Sequence, residues 1–168
     1  MDGLKIATLP LTKDKIAELD IGDRVLLSGS MLVMRDAAHN KIRDMIKSNM
    51  PLPVNFDGEC IYYMGASPAT EGRPIGSAGP TTSKRMDSVT PLLIEKGLIA
   101  TIGKGERSQA VYDAIKTAGV VYFVAIGGAG AYYCNCIKKV ELLAFPELLS
   151  EAIYRISVED FPVVVFYR

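Results

Sequence analysis

The sequence predicts an α/β fold, on the border with α+β, in which one mixed sheet carries flanking helices. Three observations predict it. The middle third alternates short apolar runs with helical periods, the C-terminal third is mostly strand-like, and one core suffices for the whole chain. At 168 residues with 49% hydrophobic content, the chain suits a single domain over residues 1–168. Surface scaling gives roughly 8,000 Å² folded against about 26,000 Å² unfolded, so a core forms without a disulfide or structural metal.

The elements follow in order. Residues 23–29 read as a short buried strand ending in a turn at Gly29. Met34, Ala38, Ile42, Met45 and Ile46 recur at helical spacing, giving a helix over 35–49 that Pro51 and Pro53 stop. Residues 60–64 are the next strand. A Gly/Pro/Ser-rich connection spans 65–80, longer than a compact domain carries without a reason, with a short strand expected at 75–78. A helix over 82–96 closes on Gly97. Beyond it come a strand at 98–102, a helix at 108–118 closed by Gly119, and an apolar strand at 120–126. Gly127 to Ala131 lead into a short segment. Residues 138–145, 152–158 and 163–167 are strand-like, with Asp160-Phe161-Pro162 separating the last two. There is no internal repeat.

Nineteen Lys and Arg balance nineteen Asp and Glu, with no run of like charges, which argues against a nucleic-acid binder. Zero net charge gives little colloidal repulsion and fits a chain that lives in an assembly. No stretch approaches the ~20 apolar residues of a membrane span. Met1-Asp2-Gly3-Leu4-Lys5 leads no apolar run of signal-peptide length, so a reducing cytoplasmic location is expected.

Two glycine motifs fail on inspection. Tyr133 stands where Gly127-Gly128-Ala129-Gly130 would need a further glycine for dinucleotide binding. Gly103-Lys104-Gly105 lacks the upstream glycine of a phosphate loop. Cys134-Asn135-Cys136 offers two thiols, yet only Cys60 and the single His39 remain to complete a metal set. The cysteines read as small hydrophobes in packing, and no metal is expected on this chain.

The informative constellation is polar. Met34-Arg35-Asp36-Ala37-Ala38-His39 puts Arg35, Asp36 and His39 at a helix start, with Asp36 and His39 on one face. Gly79-Pro80-Thr81-Thr82-Ser83-Lys84-Arg85 sets two hydroxyls at the predicted helix N-terminus, with Arg85 one turn on. Lys104 adds a cation on a glycine-flanked loop. Two arginines, a lysine and two hydroxyls fit a small anion, either a dicarboxylate or a phosphate.

These motifs, with Gly103-Lys104-Gly105-Glu106-Arg107-Ser108-Gln109 and the stretch from Glu151 to Pro162, resemble the C-terminal region of class I fumarate hydratase. In two-subunit members that region is a separate β subunit, and the resemblance runs from about residue 21 to 166. It implies a swivelling β/β/α domain closing over a site whose other wall is an α subunit, in an α2β2 hetero-oligomer. It implies a [4Fe-4S] cluster on that α subunit, acting as a Lewis acid, with none bound by this chain. By resemblance Arg35 and Arg85 bind substrate, Thr81 and Thr82 match the family's threonine pair, and Lys104 its lysine. Thr81 matches the proposed catalytic base, and Asp36 and His39 would orient Arg35 from behind. The implied reaction is reversible hydration of fumarate to L-malate, by a chain inactive alone. The β subunit of L-tartrate dehydratase shares the Arg-Asp and Gly-Pro-Thr-Thr elements, which leaves a related dicarboxylate hydro-lyase, or a stand-alone anion-binding regulatory domain, as alternatives.

Overall fold

A computed structural model describes residues 3–65, 67–69 and 71–168. Met1, Asp2, Ala66 and Thr70, the last two within the predicted 65–80 connection, lie outside the described residues. The fold begins with two elements the sequence reading did not anticipate, strand β1 (Leu4–Thr8) and helix α1 (Lys13–Ala17). The Thr12 side chain caps α1 by accepting the Lys15 N–H at 3.2 Å. Then come β2 (Arg24–Val33), α2 (Asp36–Lys47) and β3 (Cys60–Tyr62). Helix α3 (Thr90–Glu95), β4 (Ala100–Gly103), α4 (Gln109–Ala118) and β5 (Val121–Val124) complete the alternating half. Helix α5 (Gly130–Cys136), β6 (Ile137–Ala144) and β7 (Ile153–Tyr167) finish the chain.

Strands β1 to β5 run parallel in that order, and β7 and β6 follow antiparallel. Because β7 also pairs antiparallel with β2, strands β2, β3, β4, β5 and β7 close into a ring. Side chains alternate across this sheet with the two-residue period of a strand. Met31, Val33, Cys60, Tyr62 and Met64 join one apolar core, while Leu32, Met34, Ile61 and Tyr63 join a second. Ala38 and Ile42 of α2, and Leu93 of α3, cover that second face. Burial on both faces explains why these strands read as continuous apolar runs.

Three expectations need correction. The helix predicted over 82–96 is interrupted: Ser83–Met86 is one 3₁₀ turn, and α3 starts afresh at Thr90. Pro91, at the start of α3, cannot sit inside a longer helix because it lacks an N–H and clashes with the turn before it. No strand forms at 75–78, where the buried Ile75 and Ala78 belong to irregular chain and Ala78 N–H donates to Gly130 O at 3.1 Å. The two strands predicted around Asp160-Phe161-Pro162 are one, β7. Asp160 takes a φ of 50° and the register with β2 slips between Leu27 and Gly29, so a bulge just before Phe161-Pro162 bends the strand without ending it. Among the described residues, no helix is long and apolar enough to cross a membrane.

Candidate active site

The candidate residues gather where the parallel strands end. Arg35 follows β2, Thr81 is fixed just past β3, and Lys104 follows β4. Loops at the carboxyl ends of parallel strands converge in space, which is why α/β sheets bind ligands there. Backbone bonds join the loops: Thr81 N–H donates to Tyr63 O at 2.8 Å and Ser83 N–H to Lys104 O at 3.0 Å. Thr82 and Lys104 thereby form a short parallel bridge.

Asp36 and Arg85, 49 residues apart in sequence, form a two-bonded ion pair. Arg85 Nε donates to Asp36 Oδ1 at 2.8 Å, and Nη2 to Oδ2 at 2.8 Å. Arg85 Nη1 then points at the Thr81 hydroxyl, 3.3 Å away. The expectation that Asp36 orients Arg35 changes accordingly: the carboxylate forks onto Arg85 and stands 3.7 Å from Arg35 Nε. Arg35 Nε also lies 3.5 Å from Glu151 Oε1, yet as a buried donor it makes no hydrogen bond. Its guanidinium passes so close to Gly65 that a Cβ there would stand 2.6 Å from Nη1. A side chain at position 65 would therefore push the Arg35 guanidinium aside.

His39 also lies behind Arg35, and it holds the backbone rather than the guanidinium. Its Nδ1 lies 2.8 Å from Arg35 O, so Nδ1 carries the proton and Nε2 is left without a partner. Burial pushes the imidazole pKa down to about 4, against the Arg35 carbonyl and with help from Arg107, so the ring is neutral. Its ring meets Tyr63 edge-on at 5.4 Å.

The Thr81–Thr82 pair precedes a single 3₁₀ turn and not the α-helix N-terminus expected there. Thr82 precedes the 3₁₀ turn and its side chain makes no capping bond. The positive groups at this face are side chains: Arg35, Arg85 and Lys104. Lys104 is exposed and, among the described residues, its ammonium makes no ion pair or hydrogen bond. Lys84, the sequence neighbour of Arg85 on the 3₁₀ turn, is likewise exposed.

Two clefts, of about 540 Å³ beside Pro68, Leu149 and Tyr154 and about 400 Å³ beside Leu4, Ile126 and Tyr132, contain none of these residues. The polar cluster is an open face. The cysteines do not approach it as ligands: Cys60 lies in the ring core, Cys134 and Cys136 are buried on α5, and burial raises the Cys60 and Cys136 thiol pKa values. No three His, Cys, Asp or Glu converge as a metal set among the described residues. Two contributors escaped the residue-by-residue sequence reading. Glu151 and Gly65 act through contacts 116 and 30 residues from Arg35 in sequence, which no local spacing displays.

The sequence model of the family described as Fumarase C-terminus matches residues 3–167. Fumarate hydratase 2 of Leishmania major is 43% identical over 155 residues, covering 91% of this chain and 27% of its own length. The anaerobic class I fumarate hydratase of Escherichia coli (strain K12) is 40% identical over 153 residues, 90% of this chain and 28% of its own. A protein described as L(+)-tartrate dehydratase subunit beta, from Methanocaldococcus jannaschii, is 35% identical over 161 residues, 92% of this chain and 83% of its own. The chain thus spans little more than a quarter of the two fumarate hydratases it matches.

Proposed function

The chain belongs to the fumarase C-terminus family, and from that premise we propose that it is the β subunit of a two-subunit hydro-lyase interconverting fumarate and L-malate. The observation that carries this reading is the Arg35–Asp36–Arg85–Thr81 cluster beside Lys104, at the ends of parallel strands. The tartrate dehydratase relative supports a separate subunit, because this chain covers 83% of it. The open polar face supports a second wall supplied by another chain, an α subunit in an α2β2 assembly. Residues 1–168 act as one domain, in the cytoplasm.

Each guanidinium grips one substrate carboxylate. Asp36 occupies the Nε–Nη2 edge of Arg85, so the ligand meets the Nη1 edge, beside the Thr81 hydroxyl. Arg35 brings a buried Nε–H with no hydrogen-bond partner. Thr81, with Thr82 beside it, faces the carbon next to a carboxylate. In dehydration the Thr81 oxyanion takes that carbon's proton, the electron pair left behind forms the double bond, and the hydroxyl on the neighbouring carbon leaves as hydroxide; in hydration hydroxide adds back and the Thr81 hydroxyl returns the proton. An ordinary threonine is a poor base, and donation from Arg85 Nη1 stabilises its oxyanion. Lys104 and the arginines hold the charge that builds on the carboxylate as the proton leaves.

A [4Fe-4S] cluster does not fit this chain's described residues, whose three cysteines are buried apart from the polar face. We assign it to the α subunit. A tartrate substrate keeps the same carboxylate grips and differs by contacts worth about 1–3 kcal/mol. The test is anaerobic turnover of fumarate and of tartrate by this chain alone and by the chain joined to its α subunit. Fumarate hydration only in the joined enzyme is expected. Turnover by the chain alone overturns the two-subunit reading, and faster turnover of tartrate overturns the substrate.

A further inference from the structure

Arg107 touches no ligand position, yet its side chain is wholly buried. Its Nε donates to Asp87 Oδ1 at 2.6 Å and its Nη1 to Thr101 Oγ1 at 3.2 Å. Its Nη2 donates to Thr90 Oγ1 at 2.7 Å and to the Tyr63 hydroxyl at 3.3 Å. The guanidinium also lies 5.2 Å from the Tyr63 ring centre and 5.0 Å from that of Tyr122. Burial penalises its charge, but Tyr63 and Asp87 more than offset this and raise its pKa, so it stays a cation.

Three of the groups around this cation, Tyr63, Asp87 and Tyr122, each hold a different piece of the candidate site. Tyr63 O accepts the Thr81 N–H. Asp87 ends the 3₁₀ turn that carries Arg85, and its second oxygen accepts the Ser108 N–H. The Tyr122 hydroxyl, with its pKa pushed up to about 12 by burial, bonds Ser83 Oγ at 2.9 Å and Gly105 O at 2.6 Å, one residue past Lys104. His39, which holds Arg35 O, packs edge-on against Tyr63. Arg35, Thr81, Arg85 and Lys104 are therefore all tied, within two or three contacts, to one guanidinium.

Stability alone does not call for such a group, because a buried ion pair is often replaceable by well-packed apolar residues without loss. Geometry does. A planar fork with five N–H groups fixes several acceptors at set angles, which a lysine ammonium on a flexible stem cannot do. We propose that Arg107 is a positioning residue: it locks the Thr81–Arg85 turn and the Lys104 loop into one rigid cradle for the ligand. This rests on the function proposed above only in naming those side chains as the ones that hold the ligand.

The test is amide hydrogen exchange on the full chain carrying Arg107→Lys, read beside kcat and KM of the enzyme joined to its α subunit. The amides of Thr81 and Ser83, bonded to Tyr63 O and Lys104 O, are expected to exchange at least about tenfold faster. Those of Leu9 and Gly22, bonded to Ser28 O and Val165 O at the far end of the ring, should keep parental rates. kcat should fall by about 10- to 100-fold, more than KM rises, as expected of misplacement. Uniform acceleration at all four amides would make Arg107 a general stabiliser and overturn the proposal, as would unchanged exchange at Thr81 and Ser83. If Arg107→Lys does not fold, Thr101→Val removes one acceptor while keeping the Asp87 pair, and must show the same local pattern or the proposal fails. A parental enzyme that does not hydrate fumarate would defeat the functional reading and leave the exchange result standing.

Discussion

Arg85 pairs with Asp36 through side chains 49% and 26% exposed, whereas Arg107 pairs with Asp87 through side chains 0% and 9% exposed. The chemistry is the same and the surroundings are opposite. In the open pair, water screens the attraction, so the contact is worth about 0–1 kcal/mol and a ligand carboxylate can share the guanidinium. In the closed pair neither charge has water to fall back on, so losing one strands the other. One pair leaves a guanidinium edge open to a further partner and the other leaves none.

The largest expected effect tests that contrast directly. Arg107→Ala leaves Asp87 buried and uncompensated and should cost about 3–5 kcal/mol in denaturant unfolding. Arg85→Ala, at the same chemistry in the open pair, should cost under about 1 kcal/mol. Equal costs would break the comparison.

A smaller effect sharpens it, because His39 stands between the two regions, holding Arg35 O while feeling the Arg107 charge. Its pKa is about 4 in the fold, against the ordinary 6.5 unfolded. The unfolded chain therefore binds the extra proton between those values, so the contribution to stability is complete above pH 6.5 and is lost as pH falls toward 4. The loss is roughly 3 kcal/mol. His39→Phe should flatten that part of the stability profile between pH 6.5 and 4. A variant with the parental slope would show that the buried ring is not the group responsible.

Much of this arrangement was legible in the sequence where the determinant is local. The period of Ala38 and Ile42 gave α2, Gly119 with φ 64° ended α4, and the apolar runs marked the buried strands. The residues of the open face were legible too, since Arg35 with Asp36 and Thr81 with Arg85 each lie within one turn of chain. Their mutual arrangement was not. Asp36 meets Arg85 across 49 residues and Arg107 meets Tyr63 across 44, so burial and partner choice are set by strand pairing. The split of the 82–96 helix was readable at Pro91, which opens α3. Strand β1 carries little of its own: Leu4 and Ile6 are exposed, and its place comes from pairing with β2.

The central claim, that the open face clamps a dicarboxylate between arginines, is tested most directly by kcat/KM for fumarate and L-malate in the joined enzyme carrying Arg35→Lys or Arg85→Lys. Lysine keeps the charge and removes the planar fork. The account predicts a loss of about 2–4 kcal/mol in transition-state stabilisation at either position, roughly 30- to 1,000-fold in kcat/KM, with unfolding nearly unchanged. Lys84→Ala, on the exposed side of the same turn, should cost little. Near-parental kcat/KM in both arginine variants, with Lys84→Ala crippled, would contradict the claim and place the dicarboxylate on another face of the turn.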